Sequence, residues 1–135
     1  MDIRIVSIGA LSAHPLRGEG SGSRLGHGTT TLVRSGDATI LVDPGLPAQV
    51  LVPRLEERTG LGPEAITHVF LTSFNPELRR GITAFENAEW LIGEREREAV
   101  GVPLATSLRD ATEDGDSELV GALETEVAIL HRCSA

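Results

Sequence analysis

The chain has 135 residues, 40% of them apolar and only 3% aromatic, and a formal net charge of −8. That length supports one domain with a modest core built from Val, Leu, Ile and Ala. The acidic balance argues against nucleic acid and against anionic membranes as partners, since both are bound through clustered Lys and Arg. A single cysteine, Cys133, excludes an internal disulfide and a zinc site with two cysteine ligands. Charges inside the apolar N-terminal stretch read as a strand and not as a signal peptide. No apolar run approaches the roughly 20 residues needed to span a bilayer. The expectation is a cytoplasmic protein.

In chain order, the β-branched run Asp2 to Ile8 predicts a strand, with Ile3, Ile5 and Ser7 on one face and Arg4, Val6 and Ile8 on the other. Gly9 to Gly28 is glycine-rich and predicts a long exposed loop. Thr29 to Arg34 and Ala38 to Val42, joined through Ser35-Gly36-Asp37, predict a β-hairpin. Asp43-Pro44-Gly45 then closes the second strand. Val50, Leu51 and Leu55 predict a helix over Ala48 to Arg58, with Pro53 expected to kink or restart it. His68 to Leu71 and Glu89 to Ile92 read as strands, and Thr72 to Gly81 as a polar loop. Ile82 to Phe85 reads as a helical turn, and Glu94 to Val100 as a short charged helix with a solvated Glu/Arg face. Leu119-Val120 and Glu126 to Leu130 are predicted as two late strands, the second from its alternation. The order suggests an α/β chain in which a mostly antiparallel or mixed sheet carries helices on one face.

Several segments resemble the metallo-β-lactamase superfamily. Thr29 to Val33 followed by Ile40-Leu41-Val42-Asp43-Pro44-Gly45 is similar to its paired strands ending in Asp-x-Gly. Ile66 to Thr72 is similar to its strand entering the metal loop. Gly81 and Phe85 to Trp90 are similar to the segment just beyond that loop, and Val127 to His131 to a later strand before another ligand histidine. The resemblance covers nearly the whole chain, but only about the first half of a family domain. It implies half of an αββα sandwich, here one domain over residues 1–135.

In the family the metal loop reads Thr-His-x-His-x-Asp-His-x-x-Gly, and its histidines and aspartate bind one or two ions, usually zinc. Here the frame reads Thr72-Ser73-Phe74-Asn75-Pro76-Glu77-Leu78-Arg79-Arg80-Gly81. Both ends match. Ser73, Asn75 and Leu78 stand at the histidine positions, and Glu77 at the aspartate position. The next ligand histidine falls at about Ala135. Zinc needs about three or four Cys, His, Asp or Glu ligands. Glu77 alone qualifies, with Asp43 as a nearby helper. No cofactor is therefore expected, although zinc is the family's metal. Without the ion no water is brought to a pKa of about 7, so the expectation is no catalytic residue and a non-catalytic, pseudoenzyme-like protein.

The residual pocket is expected around Asp43, Arg79, Arg80, His14 and His27. Asp43 is expected to organise the loop by accepting backbone N–H bonds. Arg79 or Arg80 could replace the cation, pair with Glu77 or Asp43, and hold a small anionic ligand, although two solvated arginines are the plainer reading. His14 and His27 read as surface or turn histidines, and His68 as a strand-head residue capping backbone groups. Cys133 lies near His131, but nothing else suggests a nucleophilic pair. Gly18 to Ser23 lacks the Gly-Lys-Ser/Thr ending of a phosphate loop. A sheet covered on one face leaves the other apolar and wet, at a cost of about 25 cal/mol per Å². The expectation is a C₂ homodimer stacking those faces, and a binding or scaffolding role. The alternative is a metal-dependent hydrolase of the ester, thioester or lactone type with unusual ligands.

Overall fold

The computed structural model describes residues 1–10 and 26–134. Five strands form one sheet in the order β1 (Asp2–Ser7), β2 (Thr30–Ser35), β3 (Ala38–Val42), β4 (His68–Leu71) and β5 (Glu89–Ile92). The first three run antiparallel, as a tight turn at Gly36 (φ 58°) permits. β4 and β5 each add in parallel after a crossover segment. The sheet is therefore mixed, and β3, β4 and β5 all deliver the chain to the same edge.

Register decides what each face carries. The row Leu32–Leu41–Val69–Trp90 is buried across β2 to β5 and faces the core. Against it pack Leu51 and Leu55 of α1 (Ala48–Thr59), the loop residues Phe74, Ile82 and Phe85, and Leu130 and Cys133 at the chain's C-terminal end. The neighbouring rows face the other way. One is Ile3–Val33–Ile40–His68–Glu89 and the other Ile5–Thr31–Val42–Phe70–Leu91. Their interior members are half-buried, and Ile3 and Ile5 at the edge are 63% and 54% exposed. This face is an apolar sheet surface that no described element covers.

The strict alternation expected along β1 fails at its end. A register shift between Ile5 and Ser7 turns both Val6 and Ser7 inward. α1 runs through Pro53 without stopping. Pro53 and Gln49, whose carbonyl loses a donor, are both exposed, so water can satisfy that group. The same holds for Pro103 and Ala99 in α2 (Glu94–Glu113), which is far longer than the short helix expected.

The predicted late strands do not form. Residues Ser117–Arg132 are a helix, α3, capped by the Asp116 carboxylate accepting from the Leu119 N–H. Val120, Leu123, Val127 and Leu130 recur at helical spacing and turn towards α2 or the core, and this outweighs the brief alternation at 126–130. Val127 to His131 is thus not the later strand suggested by resemblance. The parallel bridge beside β5 comes instead at Ser134, which pairs with Leu91.

Candidate functional site at the loop after β4

The loop from Thr72 to Gly81 leaves the carboxyl end of β4 beside the end of β3. Asp43 sits where β3 ends, with φ 55°, a left-handed conformation that Asp tolerates better than most residues. It is buried, and its carboxylate accepts from both the Thr72 N–H (2.8 Å) and the Thr72 hydroxyl (2.7 Å). Its own carbonyl accepts from the buried Thr30 hydroxyl at 2.6 Å and from the Gly45 N–H at 2.7 Å. The ends of β2, β3 and β4 are thereby tied together. Asp43 does organise the loop, and a side-chain hydroxyl contributes alongside the backbone donor.

Past Thr72 the loop uses its polar groups internally. Asn75 accepts from the Glu77 N–H (3.1 Å) and starts a short helical turn over Pro76–Leu78. The Ser73 hydroxyl accepts from the Asn75 N–H at 3.2 Å. Ser73 and Asn75 thus both act as turn-forming side chains. Glu77 is exposed, while its carbonyl accepts from the Gly28 N–H at 2.9 Å. Leu78 is partly buried directly against Gly28, and a Cβ at Gly28 would collide with its Cδ2. A Cβ at Gly45 would strike the Glu77 carbonyl. Both glycines are required by close approach and not by turn geometry.

Arg79 does not pair with Glu77 or Asp43. It turns under the loop, 8% exposed. There its Nε donates to the Phe74 carbonyl (2.9 Å), its guanidinium lies 4.2 Å from the centre of the Phe74 ring, and Nη2 pairs with Glu126 on α3. Burial pulls its pKa below the ordinary arginine value, and Glu126 opposes that shift. Arg80 donates to the Gly26 carbonyl, securing the returning glycine-rich segment. Neither arginine is simply solvated. Glu96 of α2 completes the loop's support by accepting from the Phe74 N–H at 3.2 Å. Glu96 and Glu126 are absent from the expected site, since they lie on helices read as shorter or as strands.

His27 is half-buried and forms an isolated bridge with Ala10, which closes the base of the glycine-rich segment. His14, and the Gly18 to Ser23 stretch, lie outside the described residues. His68 engages the Thr67 hydroxyl (2.7 Å) and approaches Glu89 (3.6 Å), and among the described residues it caps no backbone group. His131 is exposed near the end of α3, whereas Cys133 is buried and its thiol is pushed up by desolvation. That shift is opposite to what a nucleophilic thiolate needs.

Among the described residues, no cluster of three or more His, Cys, Asp or Glu side chains converges in a way that could hold a metal ion. The donor set at the loop points the same way. Ser73 and Asn75 are committed to turns, Leu78 is aliphatic and packs against Gly28, and Glu77 is the one carboxylate within the Thr72–Gly81 stretch. These side chains do not fit the zinc that the loop's frame implies.

Residues 23–72, from the glycine-rich segment to the start of the loop, match the family model of the metallo-beta-lactamase superfamily. No curated protein sequence matches the chain. Among solved structures, a Thermotoga maritima protein assigned as a metallo-β-lactamase is similar over 96% of this chain and 55% of its own, with 20% identity and a TM-score of 0.62. AidC, a dizinc quorum-quenching lactonase, is similar over 77% of this chain and 40% of its own (22% identity, TM-score 0.55). The hydrolase AbOPH of the β-lactamase superfamily is similar over 78% and 41% (21% identity, TM-score 0.52). The chain thus spans about half the length of these structures or less. The shared architecture gives this chain the metallo-β-lactamase fold, and the family-model match covers its strands β2 to β4 and the segments between them.

Proposed function

We propose that this protein is a non-catalytic metallo-β-lactamase-fold module with a binding or scaffolding role. The observation that carries this reading is the packing of Leu78 on Gly28. Leu78 stands where the resemblance expects a ligand histidine, and Glu77 is the one carboxylate that the Thr72–Gly81 stretch itself supplies. A divalent ion held by one exposed carboxylate gains too little to displace its water shell. Purified protein loaded with zinc, manganese or iron and then gel-filtered should retain no stoichiometric metal and should hydrolyse no ester, thioester or lactone. Stoichiometric metal retention together with turnover would overturn the reading.

The role runs through a homodimer. The support for it is the open sheet face, where Ile3, Ile5, Val33, Ile40, Val42, Phe70 and Leu91 form two adjoining rows, with Thr31 between Ile5 and Val42 and with His68 and Glu89 at one end. Contiguous apolar surface of this kind marks an interface, and a second copy offers an equally flat apolar sheet in C₂ symmetry. Light scattering at micromolar concentration should give twice the chain mass, and a monomer would remove the dimer. A second reading is a hydrolase of ester, thioester or lactone type with unusual ligands, prompted by the likeness to the lactonase AidC. His14, His27 and Glu77 would have to carry its metal. A small anion held near Arg80 is the remaining expectation for the loop, and phosphate titration followed at the Arg80 resonances tests it.

A further inference from the structure

Charge enters the open sheet face at one place. Across its paired registers, His68 and Glu89 are the only side chains that ionise. They stand opposite each other on β4 and β5, with Nε2 of His68 3.6 Å from Oε2 of Glu89. Their side chains are 33% and 59% exposed, so water reaches both. The other ring nitrogen, Nδ1, meets the Thr67 hydroxyl at 2.7 Å. On the far side of His68, β3 offers Ile40, while Phe70 and Leu91 follow two residues along β4 and β5 on the same face. Asp2, Arg4 and Arg34 occupy the alternate registers, on the face that carries Leu32 and Leu41, and Asp37 lies in the β2–β3 turn. Among the described residues in these registers, the Glu89 carboxylate therefore has one ionisable neighbour, and that neighbour is a histidine.

We infer that the charge on His68 gates the stacking of a second copy on this face. This regulation rests on the homodimer proposed above, since without stacking there is nothing to gate. Neighbouring strands lie about 4.8 Å apart, so a partner sheet that covers Ile40 and Phe70 reaches the pair as well. While the imidazole is neutral, Glu89 is a lone carboxylate on an apolar surface. A sheet laid over it strips its water and supplies no cation, which costs free energy. Once His68 is protonated, the imidazolium stands beside the carboxylate, the two charges cancel, and closing the face costs less. Twofold symmetry brings two such pairs to each dimer. Histidine is the side chain whose charge changes between about pH 5 and 8. Protonation and association are linked, each favouring the other, so the dimer is tight in mild acid and loosens as pH rises.

The test is the dimer Kd of the full chain by analytical ultracentrifugation at about pH 5.5 and about pH 8. The chain carries a formal net charge of −8, so acid also eases general repulsion between copies. Salt at about 1 M, where the screening length is roughly 3 Å, suppresses that general effect. The dimer should be at least about tenfold tighter at the lower pH. Glu89→Gln should reverse the trend, because acid then leaves a lone imidazolium on the face. His68→Gln should hold the affinity near that of the unaltered chain at about pH 8 throughout. Equal Kd values at the two pH values, or an unaltered trend in Glu89→Gln, would overturn the gate and leave the homodimer standing. A monomer at both pH values would remove the homodimer and the gate together.

Discussion

The two faces of the sheet are built from the same kinds of residue and have opposite fates. On one, Leu41 and Val69 are sealed beneath α1, the loop and the C-terminal end of α3. On the other, Ile40 and Phe70, their chain neighbours, stay half-exposed, and Ile3 and Ile5 are open to water. Apolar composition alone therefore does not create a core. A covering layer does, and here the helices supply it to one side only. The covered side also holds the buried ionic and polar devices of the molecule: the Asp43 clamp, the Arg79–Glu126 pair and the Cys133 thiol.

That contrast can be broken most forcefully from the covered side. Leu41→Ala should destabilise the fold by about 2–5 kcal/mol, because a fully buried side chain leaves a cavity behind. Urea denaturation measures it. On the open side, Ile5→Lys should change the stability of an isolated chain by no more than about 0.5 kcal/mol. It should also halve the mass seen by light scattering if the two faces stack. A stability loss as large as that of Leu41→Ala, with no change of mass, would mean that the open face is covered within one chain.

Arg79→Met comes next, with an expected loss of about 3 kcal/mol. It removes the Phe74 contact and leaves the Glu126 carboxylate without its cation. Glu126 is about one-third exposed, so Glu126→Gln should cost clearly less than Arg79→Met. Thermal melts of the two variants rank them. Asp43→Ala should cost about 1–3 kcal/mol through the lost bonds to Thr72 and the unfavourable φ. Asp43→Asn should cost less, because it keeps the left-handed preference.

The smallest effect is a dependence on pH. Burial raises the Cys133 pKa above its ordinary value of 9.0, so the folded chain binds more protons than the unfolded one in that window. The contribution is fully present below pH 9.0 and is lost as pH rises through the folded pKa. Denaturation between neutral and alkaline pH should show a fall in stability that Cys133→Ala flattens.

Much of the fold is legible in the amino-acid sequence. The hairpin at Gly36, the strand at His68 and the helix at Ala48 carry local signals that their tertiary settings reinforce. The Asp43 clamp is legible too, since a carboxylate closing a strand needs donors. α3 is not, because Glu126 to Leu130 satisfies both a two-residue and a 3.6-residue pattern, and only the preceding Asp116 cap and the partner helix α2 resolve it. The Arg79–Glu126 pair is hidden for the same reason. Its residues are 47 positions apart, on segments whose relation depends on α3 being a helix.

The Asp43–Thr72 clamp has a consequence for how freely this scaffold can vary. It fixes the loop's entry with donors that belong to the chain itself, so the path of the backbone does not wait for an ion. Shape and metal chemistry are then separately encoded. Histidines introduced at Ser73, Asn75 and Leu78 would keep the clamped entry but would have to replace the turn bonds of Ser73 and Asn75 and the leucine's seat against Gly28.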